Sequence, residues 1–135
     1  MKLSISKLSI EEIKSDALIV LANKKCALSS IPKGKFKLHI ERVINEQCFS
    51  GEIGEYRLFE SKYINSRYIL LIGCGNESIN IRNIERSISS AIRVGKKHGC
   101  NYFSIMNDIN SKDINSSSYQ FITGRGAIWG SYKFR

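Results

Sequence analysis

Apolar residues run unbroken from Tyr68 to Ile72, stop at Gly73-Cys74-Gly75 and then give way to a spacing of three and four residues. An apolar run without polar alternation suits a strand covered on both faces, and the later spacing suits a helix with one buried side, so a strand, a turn and a helix follow in order. Asp16 to Ala22 reads as another such buried strand, whereas Leu3 and Ile5 alternate with Lys2, Ser4 and Ser6 and predict a strand with one wet face. Between them, Glu11 and Glu12 lie in a connection and, pointing in different directions as successive residues, read as solvated surface.

The segment from Asn23 to Lys35, with Pro32 and Gly34, predicts a loop. Phe36, Ile40, Val43 and Ile44 then recur at helical spacing up to Cys48, and Ser50 to Gly54 breaks the pattern. Glu55 to Glu60 alternates as a strand should, joined by a turn at Tyr63 to Ser66 to the central run. In the long helix, Ile81, Ile84, Ile88, Ala91, Ile92 and Gly95 share one face, and Arg82, Glu85, Arg86, Ser89 and Arg93 the other. Lys96, Lys97 and His98 fall in its last turn, where cations favour the helix dipole, and Gly99 is placed to cap it. Asn101 to Met106 predicts a fifth short strand, and Asn107 to Asn115 a polar loop. From Ser116 the pattern is helical again, with Tyr119, Ile122, Gly126 and Trp129 on one face. Strands alternating with helices predict a single three-layer α/β domain over residues 1–135.

Composition narrows the classes. With 42% hydrophobic residues, one proline and ten glycines in 135 residues, the chain is an ordinary globular domain large enough for its own core. Cys26, Cys48, Cys74 and Cys100 are too widely spaced for a paired zinc motif, which leaves reduced, mostly buried thiols as the expectation. The N-terminus is too short in apolar residues for a secretory signal and no stretch reaches a membrane span, so the expected setting is cytoplasmic, without a membrane partner.

The net charge of +9 is concentrated. Over residues 21–42, six cations (Lys24, Lys25, Lys33, Lys35, Lys37 and Arg42) meet one carboxylate, Glu41. Along the long helix, Arg82, Arg86, Arg93, Lys96 and Lys97 meet Glu85 alone. If the two segments share a face they would attract a DNA backbone, with steep salt dependence. The competing reading is a soluble surface whose charge is balanced by an acidic partner domain.

Gly73-Cys74-Gly75 is the candidate anion-binding turn, because a strand-to-helix turn aims main-chain N–H groups at anions. Ser78 stands where the third glycine of a dinucleotide fingerprint would fall. Gly124-Arg-Gly126 lies inside a helical pattern and is a weaker case. His39 and His98, in different elements and each beside lysines, read as exposed basic-face residues.

Taken together, Tyr68-Ile-Leu-Leu-Ile-Gly-Cys-Gly-Asn-Glu77, the helix ending Ala91-Ile-Arg-Val-Gly95, the early Ser15-Asp-Ala-Leu-Ile-Val20 and the closing Gly126-Ala-Ile-Trp-Gly-Ser-Tyr-Lys-Phe134 resemble the N-terminal domain of the leucine aminopeptidase (cytosol aminopeptidase) family. The resemblance implies a macro-domain-like mixed sheet with flanking helices. It also implies a parent protein whose absent C-terminal domain binds two divalent metals, zinc or manganese, and removes N-terminal residues from peptides. No stretch matches the family's Asn-Thr-Asp-Ala-Glu-Gly-Arg motif, so the chain is expected to be a non-catalytic fragment that needs no cofactor of its own. By the same resemblance its partners are its own catalytic domain and the other subunits of a homo-hexamer, with Trp129 a candidate assembly contact. Likeness to macro domains raises an ADP-ribose or nucleotide pocket as an alternative, although their Asn-Ala-Ala-Asn segment is missing.

Overall fold

The computed structural model describes residues 14–22, 35–75 and 81–105. The strand expected at Leu3 and Ile5, the loops after Asn23 and Asn107 and the closing helix from Ser116 lie outside the described residues. The elements are β1 (Ala17–Ala22), α1 (Lys35–Glu46), β2 (Tyr56–Phe59), β3 (Tyr68–Gly73), α2 (Ile81–Lys97) and β4 (Phe103–Ile105). The sheet order is β2-β3-β1-β4, with β3 and β4 parallel to β1 and β2 antiparallel to β3. This is the mixed sheet that the family resemblance implies.

β1 is buried at all six positions, as a central strand covered on both faces must be. Its side chains alternate between two cores. Leu18, Val20 and Ala22, with Ile69 and Leu71 of β3, pack against Phe36, Ile40 and Ile44 of α1. Ile19 and Leu21, with Leu70 and Ile72, pack against Ile84, Ile88, Ala91 and Ile92 of α2. The two helices therefore lie on opposite faces. Topology explains why: the crossover through α1 steps from β1 to β3, the crossover through α2 steps back past β1 to β4, and right-handed crossovers running in opposite directions use opposite faces.

Helix ends follow capping chemistry. Gly99 has φ of 82°, its N–H reaches the Lys96 carbonyl at 3.1 Å, and the Cys100 N–H reaches the Gly95 carbonyl at 2.9 Å, the two bonds of a Schellman motif. α1 ends in a related way on Cys48, at φ 51°, with the Phe49 N–H on the Ile44 carbonyl at 3.0 Å and the Phe49 ring buried in the α1 core. Cys48 is thus an exposed thiol at a left-handed cap, a correction to the expectation of mostly buried cysteines; Cys100 is buried and Cys74 half-buried.

A second correction concerns α2. Glu85 and Ser89, expected on its wet face, are 7% and 5% exposed. A helix laid along a sheet loses its flanks to solvent as well as its underside, so its buried arc exceeds the apolar stripe that periodicity detects.

Candidate functional site

The glycine turn sits at the carboxyl end of β3, beside the end of β1, where Ala22 pairs with Gly73. Connections leave these two neighbouring strands toward opposite faces, which is where open α/β sheets form a ligand crevice. In this chain the three turn amides have acceptors within the protein. The Gly73 N–H donates to the Glu55 carbonyl at 2.8 Å, the Cys74 N–H to the Ala22 carbonyl at 2.8 Å and the Gly75 N–H to the Gly51 carbonyl at 3.0 Å. Gly73 also accepts at its own carbonyl from the buried Ser87 hydroxyl at 2.9 Å. The Cys74 thiol donates to the Ala22 carbonyl at 3.3 Å, and burial pushes its pKa up, which keeps it protonated and poorly nucleophilic at neutral pH.

The loop over this turn is held by one carboxylate. Glu55 Oε1 accepts from the Ser50 N–H, the Ser50 hydroxyl and the Gly51 N–H, each at 2.8 Å, while Arg57 stands 3.6 Å from Oε2. Burial raises the Glu55 pKa, but these donors and the guanidinium outweigh it, and the net shift is downward. Sequence reasoning missed this residue because the groups that define its role come together only when the loop folds back.

At the opposite end of the sheet, Asp16 plays a comparable part. Its Oδ2 accepts the Asn101 and Tyr102 N–H groups at 2.8 and 2.9 Å, tying the start of β1 to the approach to β4. These two bonds, aided by Arg67, hold its pKa below the usual value. Beside it the Ser15 hydroxyl donates to the Ala17 carbonyl at 3.2 Å and lies 2.7 Å from the Ser66 and 2.8 Å from the Ser104 hydroxyl, a network that satisfies polar groups inside the fold. Asp16 lines a shallow cleft with Lys14, Asn65, Arg67, Asn101 and Tyr102.

Both carboxylates bind protons more weakly folded than unfolded, so they stabilise the fold above their unfolded pKa values, near 4, and that contribution is lost as pH falls through the lower folded values. Urea midpoints should be level from pH 7 to about pH 5.5 and fall below about pH 5, with a shallower fall in Asp16→Asn. An unchanged acid slope in that variant would remove Asp16 from the account.

Among the described residues the two basic segments are not brought onto one face. Lys24, Lys25 and Lys33, like Trp129, lie outside the described residues. Lys35, Lys37 and Arg42 are on α1, where Lys37 pairs with Glu41 at 4.0 Å and Glu46 adds a second carboxylate. The α2 cations are on the helix of the other sheet face. The shared face on which a combined phosphate-binding field depended is therefore not formed by α1 and α2. His39 is a further correction: it is half-buried, its Nδ1 is 3.0 Å from the Ser61 hydroxyl, and its ring meets Phe59 and Tyr63 edge-on at 5.4 and 6.0 Å. It anchors α1 to the segment after β2, while His98 is exposed as expected. Among the described residues no three His, Cys, Asp or Glu side chains come together as metal ligands, and no helix is long and apolar enough to cross a membrane.

Residues 19–135, from inside β1 onward, match the family described as the cytosol aminopeptidase family, N-terminal domain. The chain belongs to this family. No curated protein sequence matches it. Among solved structures, a tomato leucine aminopeptidase mutant superposes with a TM-score of 0.65 at 13% identity over 90% of this chain. The match takes in 26% of the tomato protein, so the aminopeptidase-family domain described here corresponds to about a quarter of that enzyme. The macrodomain of Mycobacterium tuberculosis DarG gives a TM-score of 0.62 at 11% identity, covering 90% of this chain and 86% of that one. At such identities the likeness shows the fold, and the aminopeptidase-family domain is accordingly macro-like.

Proposed function

We propose that this chain is the non-catalytic N-terminal module of a metal-dependent leucyl aminopeptidase, packing on the catalytic domain and helping to join the subunits of a cytoplasmic homo-hexamer. The observation that carries the reading is the family match over residues 19–135, which is a match to the N-terminal domain. The chemistry of the described residues supports it: Asp16, Glu55 and the three turn amides, the polar groups best placed for a site, all bind the chain's own groups. On this reading the two divalent metals, zinc or manganese, and the peptide substrate belong to the catalytic domain.

Two measurements test the proposal. The isolated chain should not hydrolyse a leucine amide with zinc or manganese present; turnover above the buffer rate would overturn the non-catalytic assignment. For assembly, sedimentation should show self-association that weakens about tenfold or more in Trp129→Ala, the loss expected of a buried aromatic anchor. Sedimentation identical to the wild type would count against assembly through this residue.

A further inference from the structure

The outer side of α2 is a single row of cations. Between residues 82 and 97 the fully exposed positions are Arg82, Arg86, Arg93 and Lys97. At about 100° and about 1.5 Å per residue, they fall within an arc of about 60° over a length of about 22 Å. Glu85, the only acid of the helix, is 7% exposed and so is drawn off the row. We propose that this ridge is a docking surface for the phosphate backbone of duplex DNA, a role beyond the assembly reading and independent of it. It rests on α2 alone and needs no contribution from α1.

Folding by itself does not call for such a row. α1, on the other face of the sheet, mixes exposed Lys35 and Arg42 with exposed Glu41 and Glu46, the two signs of an ordinary wet surface. Along α2, Arg82 with Arg86 and Arg93 with Lys97 are like charges four residues apart, an arrangement that weakens a helix. Arg82 also stands in the first turn, where the helix dipole favours anions. Side chains that work against their own element point to a partner outside it.

The chemistry of the ridge selects that partner. Three of its four cations are arginines, whose planar fork matches phosphate oxygens bidentately. A protein partner is met by aromatic or apolar anchors, whereas α2 has no aromatic residue and, between residues 82 and 97, no fully exposed apolar one. A membrane needs an apolar side to insert, and that side of α2 is spent on Ile19, Leu21, Leu70 and Ile72 of the sheet. Single strands are gripped by stacking bases on aromatic rings, which the helix lacks. Duplex DNA fits: each strand carries a phosphate for every ~3.4 Å of axis, so a ridge of ~22 Å runs beside about six of them. Its major groove, about 12 Å wide, admits a helix, unlike the narrow one of duplex RNA. Contacts of this kind hold the backbone without reading bases, so binding should be indifferent to sequence and steeply dependent on salt.

The test titrates the whole chain against a labelled DNA duplex by fluorescence anisotropy. From about 50 to 200 mM salt, about four phosphate contacts should weaken binding about 100-fold. Arg86→Gln combined with Arg93→Gln removes two cations, keeps two polar residues of good helix propensity and should flatten the double-logarithmic salt slope by about two. Lys37→Gln combined with Arg42→Gln removes the same charge from α1 and should leave the slope near that of the wild type. Equal flattening by the two pairs would mean attraction to the net charge as a whole and would overturn the ridge. So would an unchanged slope in the α2 pair, no binding at the lowest salt, or polyglutamate competing as well as unlabelled duplex, which would make the partner an acidic chain.

Discussion

Gly73→Ala should destabilise the domain by about 3 kcal/mol or more, a loss visible as a collapse of the urea midpoint or as failure to accumulate folded protein. The added methyl has nowhere to go. It would meet the main chain of Gly51 and Glu52, not the tip of a movable side chain, so relief requires the loop to be displaced. Displacement in turn breaks two bonds of this residue, its N–H to Glu55 and its carbonyl from Gly54 at 3.3 Å, together with the neighbouring Gly75 bond to Gly51. Gly95→Ala is the informative contrast. There the methyl would meet the Phe103 ring, a side chain and not main chain, so relief needs no displacement of backbone and the loss should be smaller. Equal midpoints for the wild type and Gly73→Ala would show that the loop does not bear on β3 as described.

The legible part of this fold is the part set by burial periodicity. The four residues that identified α1, Phe36, Ile40, Val43 and Ile44, are the four that it buries, and the unbroken apolar runs became β1 and β3, the two strands with neighbours on both sides. Gly99 was readable as a cap because a left-handed C-terminal residue is a local requirement. Cys48, doing the same service for α1, was not, since a cysteine carries no preference for that conformation.

What escaped the sequence is non-local. Periodicity shows that α1 and α2 each have an apolar face but not that the faces look toward each other through the sheet, so the cations carried on these two helices are held on opposite sides of it. The glycine turn was visible as a turn, yet its partners come from Gly51, Gly54 and Glu55, in the loop before β2, and from Ala22 on β1. A G-x-G after a strand specifies a backbone shape, and the same shape serves an anion or a carbonyl of the same chain. The carboxylates at Asp16 and Glu55 illustrate the same point: each looks like one more surface charge in the sequence, and each is a hydrogen-bonded tie in the structure.

Ile88→Ala should cost about 3 to 4 kcal/mol, within the range for deleting a fully buried aliphatic side chain. Ile88 is 0% exposed and packs among Ile19, Leu70, Ile72, Ile84 and Ile92, where α2 meets both central strands. Alanine is the better helix former, so intrinsic propensity would favour the variant by a few tenths of a kcal/mol; packing opposes it with a term several times larger. The sign of the measured change therefore decides which of the two holds α2 in place. Arg86→Ala, on the exposed side of the same helix, makes a smaller gain in propensity, opens no cavity and should stay within about 0.5 kcal/mol of the wild type. Urea unfolding of the pair separates the contributions: a large loss for Ile88→Ala beside a near-neutral Arg86→Ala means that α2 is kept helical by the sheet beneath it, and comparable losses in both would mean that the helix's outer surface is also in contact with something that stabilises it.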